Sequence, residues 1–157
     1  MIREIDITKP ELAQEVLRIQ IPAYKAEAEL IVFYDIPPLK DTVEALQACG
    51  ETFYGYYLHG DLGGIISLKI ETGVMDIQRL VVHPKHFRKG IAKKLLEFAE
   101  SAAENVTALT VSTGSKNTPA VQLYKANGFV EIEKVQITEG LSLSRFIKNV
   151  ENVKKIN

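Results

Sequence analysis

Residues 81–96 read VVHPKHFRKGIAKKLL. The stretch opens as an apolar run, turns at Pro84 and ends as the start of a cationic amphipathic helix. Two histidines and five Lys or Arg side chains surround Gly90, without one acid. A strand that passes through a tight loop into a helix gathers the helix's free backbone N–H groups at one point. Together with the positive end of the helix dipole, those donors suit a phosphate group. Gly90 has no Cβ to block phosphate oxygens, and small Ala92 keeps the same approach open. Arg88, Lys89 and Lys93 add mobile positive charge, so a pyrophosphate fits the loop. The plainer reading of these residues is a solvated basic helix start. The stretch is not a P-loop, and it lacks the three glycines of a dinucleotide fingerprint.

The totals narrow the classes. A chain of 157 residues with 46% hydrophobic and 25% charged residues reads as one soluble domain, residues 1–157. A net charge of −1 argues against a general nucleic-acid binder and makes any anion site local. The single cysteine, Cys49, excludes an internal disulfide and fits a reducing cytoplasm. No apolar run approaches the roughly 18 residues of a membrane span. The opening MIREIDITKPEL carries acids and no apolar signal core, so no export signal is expected.

Upstream, REIDI alternates as a first strand. TKPE reads as a capping box, Thr8 with Glu11, and Leu12, Val16 and Ile19 set a helix over residues 9–20 that Pro22 ends. AEAEL favours helix, and DIPPLK must be a loop at Pro37 and Pro38. Asp41 and Glu44 suggest a second capping box before a short helix to Cys49. ETFYGYYL, LGGIISLKIE and VMDIQRLVVHP are strand signals joined by the turns HGD and TG. A helix is expected from about Lys89 to Asn105, burying Ile91, Leu95, Phe98 and Ala102 with Ala92, Leu96 and Ala99 beside them. VTALTVST is then a strand, and TPAVQLYKAN a helix stopped by Gly128. FVEIEKVQI and LSLSRFIKNV are strands, the last able to pair across a homodimer or to close the sheet. The pattern predicts an α/β (α+β) fold: a mixed, mostly antiparallel sheet of about seven strands flanked by about four helices, with a strand–helix–strand crossover after residue 82.

With its flanks, the basic segment resembles the GNAT superfamily of N-acetyltransferases. The family pattern is Gln/Arg-x-x-Gly-x-Gly/Ala after a strand ending in VxP; here LVVHP precedes GIA, and KKLLEFAE continues the helix. LTVSTGSKNTPAVQLYKANGF matches a second family block, and the element order agrees from REIDI to SRFIKNV. The chain departs from the pattern at Phe87, where the family has Gln or Arg, with Arg88 one place later.

The resemblance implies acetyl-CoA as donor, with its pyrophosphate on the backbone N–H groups of Arg88, Lys89, Gly90, Ile91, Ala92 and Lys93. It implies a pantetheine arm bonded to the backbone of Leu80, Val81 and Val82 like an added strand. Asn117 matches the family's cofactor-contacting asparagine, and it equally suits a helix cap. Tyr124 occupies the family's tyrosine position as general acid for the leaving thiol; the alternative is core packing. A backbone N–H near Leu80 or Val81 should meet the carbonyl oxygen. Asp76 stands where many relatives carry an acid beside the acceptor channel and is the candidate base, with Glu71, His59 or water as alternatives. The acceptor, an amine of a small molecule or peptide, should face Tyr24, Phe33, Tyr34 and Asp35, unless LIVFY is simply core. His83 and His86 suggest no metal, because no Cys or carboxylate cluster accompanies them. Two other classes compete with an enzyme: a non-catalytic acyl-CoA-binding module, and a nucleic-acid factor that the near-neutral charge disfavours.

Overall fold

The computed structural model describes residues 1–150, so residues 151–157 of the expected domain lie outside the described residues. Strand β1 (Ile2–Ile5) leads into helix α1 (Pro10–Ile31), a 3-10 turn at Pro37–Lys40 and helix α2 (Val43–Ala48). Strands β2 (Thr52–Leu58), β3 (Asp61–Glu71) and β4 (Val74–Val82) follow as an antiparallel meander. After a 3-10 turn at Pro84–His86 come α3 (Ile91–Ala102), β5 (Ala108–Gly114), α4 (Thr118–Ala126), β6 (Val130–Thr138) and β7 (Leu141–Asn149). The seven strands form one sheet in the order β1-β2-β3-β4-β5-β7-β6. Among the described residues only β4 and β5 run parallel, joined by the α3 crossover. The last strand closes the sheet: β7 lies between β5 and β6.

Both faces of the sheet centre are covered, which explains the almost continuous apolar run of β3. Ile65 belongs to the core under α1 and α2, whereas its neighbour Ile66 belongs to the core under α3 and α4. Neither is exposed to solvent. On α3 the buried stripe is Ile91, Leu95, Leu96 and Ala99. Ala102, expected on that stripe, is exposed, because the helix ends there and Ala103 turns extended.

Three local expectations are corrected. The Thr8 hydroxyl and amide both donate to the Asp6 carboxylate, at 2.6 and 3.1 Å, so Lys9 takes the cap position without a side-chain bond. A local Asx turn has outcompeted the cap. At α2 the cap is Thr42, which accepts from the Ala45 amide at 3.1 Å, while the Asp41 carboxylate is committed to Arg79. The third correction is the largest. Helix α1 does not stop at Pro22 but continues to Ile31. The proline removes one backbone donor; Ile19, Ala23, Ala28 and Ile31, buried in the same core on both sides of it, hold the helix together.

Candidate active site

The site is built where β4 and β5 part. They pair at only four positions, Val74–Ile77 against Ala108–Val111. Beyond them β4 stays with β3, Leu80–Val82 facing Ile66–Gly64, and β5 stays with β7 as far as Gly114. The edge of β4 that faced β5 is thereby opened along Leu80, Val81 and Val82. An open strand edge offers backbone groups to an extended ligand.

At the end of that edge stands the α3 N-terminus. Gly90 caps it with a left-handed backbone (φ 75°), no side-chain cap bond and no acid in the first turn. Lys94 N reaches the Gly90 carbonyl at 3.1 Å, which leaves the amides of Ile91, Ala92 and Lys93 without an intrahelical acceptor. A Cβ at Gly90 would meet nothing within 4 Å, so that side is open to an incoming group. Arg88 is also left-handed (φ 65°), and Arg88, Lys89 and Lys93 are exposed. Lys89 Nζ lies 3.2 Å from His86 Nδ1, and His83 Nδ1 accepts from the Lys85 amide. Burial, then the neighbouring lysines, holds both histidines below the ordinary imidazole value. The positive charge of the loop is therefore carried by Lys and Arg. Phe87 is half exposed at the C-cap of the 3-10 turn.

On the other side of the opening, Asn117 caps α4, its carbonyl oxygen accepting from the Ala120 amide at 3.3 Å. Its amide donates to Glu27 Oε1 at 3.1 Å and to the Thr113 hydroxyl at 3.4 Å. Tyr124, one helical turn on from Ala120, is 4% exposed and packs between the rings of Phe129 and Phe146. Burial, then the Glu27 charge, drives its phenol well above the usual range. Tyr24 is shifted the same way and for the same first two reasons, and it also feels Arg79, Tyr124 and Glu51. Five groups from α1, β4, α4 and the segment before β2 thus surround one another.

Arg79 anchors this side. Its guanidinium donates to Gln20 Oε1 (2.8 Å), to Asp41 Oδ2 (2.6 Å) and to both oxygens of Glu51 (2.9 and 3.3 Å). Burial alone would raise the Glu51 pKa, but the bonds from Arg79 and Ser67 overcome it and hold it low. On α1, Gln20, Tyr24 and Glu27 are spaced i, i+4 and i+7, so one helix face presents all three.

The structure brings Tyr24, Asn117 and Tyr124 together, with Leu80–Val82 and the Gly90 loop along the opened edge. It places other expected residues elsewhere. Asp76 sits in the closed part of the β4–β5 pairing, accepting from the Thr110 hydroxyl at 2.5 Å and from the Gln78 amide. That is roughly 13 Å along the strand from Leu80 at about 3.3 Å per residue. His59 is exposed in the β2–β3 turn, and Glu71 is exposed at the end of β3. Phe33 packs half-buried on the α1 core, Tyr34 is 65% exposed, and Asp35 pairs with Lys40 on the surface. Sequence reasoning missed Glu27 and Arg79. The signal for Glu27 was its helical spacing from Gln20 and Tyr24, hidden by ending the helix at Pro22.

Known proteins agree with this geometry. In three dimensions the chain resembles the PaiA N-acetyltransferase of Thermoplasma acidophilum, solved in complex with coenzyme A. That match has a TM-score of 0.77 at 21% identity and covers 96% of this chain and 98% of that one. It also resembles the ribosomal-protein-S18-alanine N-acetyltransferase of Escherichia coli, with a TM-score of 0.75 at 16% identity over 98% and 97% of the two chains. In sequence it is 43% identical over 146 residues to the UPF0157 protein YqkA of Bacillus subtilis. That match takes in 93% of this chain but only 43% of the relative's length. The model of the acetyltransferase (GNAT) family matches residues 13–129, from the first turns of α1 through the Gly90 loop to the end of α4. On that match, which spans most of the chain, and on the parted strands it encloses, this chain belongs to the GNAT acetyltransferase family.

Proposed function

We propose that the chain is an N-acetyltransferase that moves an acetyl group from acetyl-CoA to a primary amine of a small molecule or peptide, both being bound at once. The observation that carries this reading is the parting of β4 from β5 between an open, uncapped α3 N-terminus and a buried tyrosine. The coenzyme A complex of the similar PaiA protein supports the choice of donor. The residues fit such a donor. Gly90 and the amides of Ile91, Ala92 and Lys93 would hold a diphosphate, with Arg88 and Lys89 balancing its charge. Leu80, Val81 and Val82 would bond an extended pantetheine arm, and Asn117 would close over its end. Once bound, acetyl-CoA supplies an activated acyl group and a thiol leaving group.

The chain's own contribution is orientation and proton control. Tyr124 stays protonated through burial and so holds a proton for the departing sulfur. The amine nitrogen bonds to the acyl carbon as the carbon–sulfur bond breaks. The sulfur takes the Tyr124 proton, and the proton lost by nitrogen passes through water, which restores the phenol. A backbone N–H at Leu80 or Val81 polarises the carbonyl. The Asp76 carboxylate, already accepting from two donors in the closed sheet, is kept outside this proton path. In this reading residues 1–157 act as one domain. No described helix is long and apolar enough to cross a membrane.

The test is a panel of amines and N-terminal peptides assayed for thiol release with acetyl-CoA, beside calorimetric titration of CoA. Release that needs both components is expected. CoA binding without turnover across the panel would point to a non-catalytic acyl-CoA-binding module. A folded protein that takes up no CoA would overturn both readings.

A further inference from the structure

Resting on that reading, we propose that Glu27 is the acceptor-binding residue, and that it selects an amine carrying positive charge with no carboxylate beside the reacting nitrogen. The argument starts from what the Glu27 carboxylate has and lacks. Asn117 holds Oε1 at 3.1 Å, which fixes the group at the head of α4. Among the described residues, no donor reaches Oε2 and no Lys, Arg or His forms an ion pair with Glu27. Oε2 therefore stays open to solvent and to a ligand, and a carboxylate partly withdrawn from water without a cation favours a ligand that brings one.

The surroundings strengthen that bias. Arg79 is a cation that acts on Tyr24, and Glu51 and Asp41 already occupy its guanidinium. The guanidinium therefore balances two carboxylates, and Glu27, bonded to Asn117 and acting on the Tyr24 and Tyr124 phenols, adds a third without a cation of its own. Burial has also raised the pKa of Glu27 above its ordinary value, with the Asn117 bond opposing the shift. The Glu27 charge acts on the Tyr24 and Tyr124 phenols, so aromatic side chains stand near it, a setting that suits an ammonium. An acceptor with its own carboxylate next to the amine would meet Glu27 and Glu51 as like charges.

The experiment compares butane-1,4-diamine, butylamine and alanine as acceptors for the wild type, Glu27→Gln and Glu27→Asp. The wild type should rank them in that order by kcat/KM. Glu27→Gln, which keeps an oxygen for Asn117, should raise KM for the diamine at least 10-fold and compress the ranking, while CoA titration is unchanged. Glu27→Asp, which keeps the charge, should retain the order. A Gln variant within threefold of wild type on the diamine, or alanine as the best wild-type acceptor, overturns the assignment and leaves the transferase reading intact. If no amine turns over, or CoA does not bind, the transferase reading fails by itself. Calorimetric titration of the diamine into wild type and Glu27→Gln then decides the role of Glu27: equal binding, or none to either, overturns it.

Discussion

At Tyr124 two demands meet in one side chain. The ring fills the core between Phe129 and Phe146, and in the proposed reaction the hydroxyl must keep its proton until the thiol departs. Burial serves both, because it disfavours the phenolate. Tyr124→Phe should keep the packing and CoA affinity while lowering kcat about 100-fold, the usual contribution of a general acid. Because the phenol is shifted upward, the wild-type kcat profile should show no alkaline loss near the ordinary tyrosine value of about 10. A loss at that pH would remove Tyr124 from the role. For Glu27 the sign runs against stability. Its folded pKa is raised, so as pH rises the unfolded chain ionises first and the folded state loses ground. Glu27→Gln should therefore melt no lower than wild type at pH 7 by calorimetry, and a clear drop in Tm would mean the carboxylate is structural.

Among the elements, the start of α3 and the middle of α1 make separable predictions. Gly90 and Gly140 both have left-handed backbones, φ 75° and 84°, with open space where a Cβ would stand. Alanine at either position should cost about 1–2 kcal/mol of backbone strain. Only Gly90→Ala adds a methyl group where a diphosphate would approach, so only it should weaken CoA binding, by about 10-fold or 1.4 kcal/mol. Equal CoA affinity in the two variants would move the phosphate site away from this loop. In α1, Pro22 forfeits the bond to the Arg18 carbonyl. Pro22→Ala restores that donor and should raise Tm by roughly 2–4 °C, corresponding to about 1 kcal/mol in a chain of this size. The same proline explains why part of the site escaped sequence reading. Stopping the helix there separated Gln20 from Tyr24 and Glu27, which in fact share one face.

Across the whole molecule, Arg79 ties α1, the segment before α2 and the segment before β2 to the central strand beside the opening. Removing it would leave Asp41 and Glu51 facing each other in a poorly hydrated space. Arg79→Ala should cost about 3–5 kcal/mol. It should also loosen α1, seen as faster amide exchange in α1 than in α3. Glu51 has a lowered folded pKa, so its contribution is complete above the ordinary carboxylate value and is lost as pH falls through the folded one. The stability gap between wild type and Arg79→Ala should accordingly narrow toward acid. A gap that does not change with pH would mean that Arg79 acts by packing rather than by charge.

By itself the sequence determined the order of elements along the chain, the α3 crossover and the glycine-centred basic loop, since each is written in neighbouring residues as alternation, helical period and turn chemistry. The second family block likewise marked Asn117 and Tyr124. What only the tertiary structure decided was the packing around α1: that the helix passes through Pro22, that Asp41 holds Arg79 rather than capping α2, and that Glu27 meets Asn117. These two pairs of partners lie 38 and 90 residues apart in the chain. Local preference cannot encode such meetings, because long-range packing supplies the free energy that overrides a proline or a capping box.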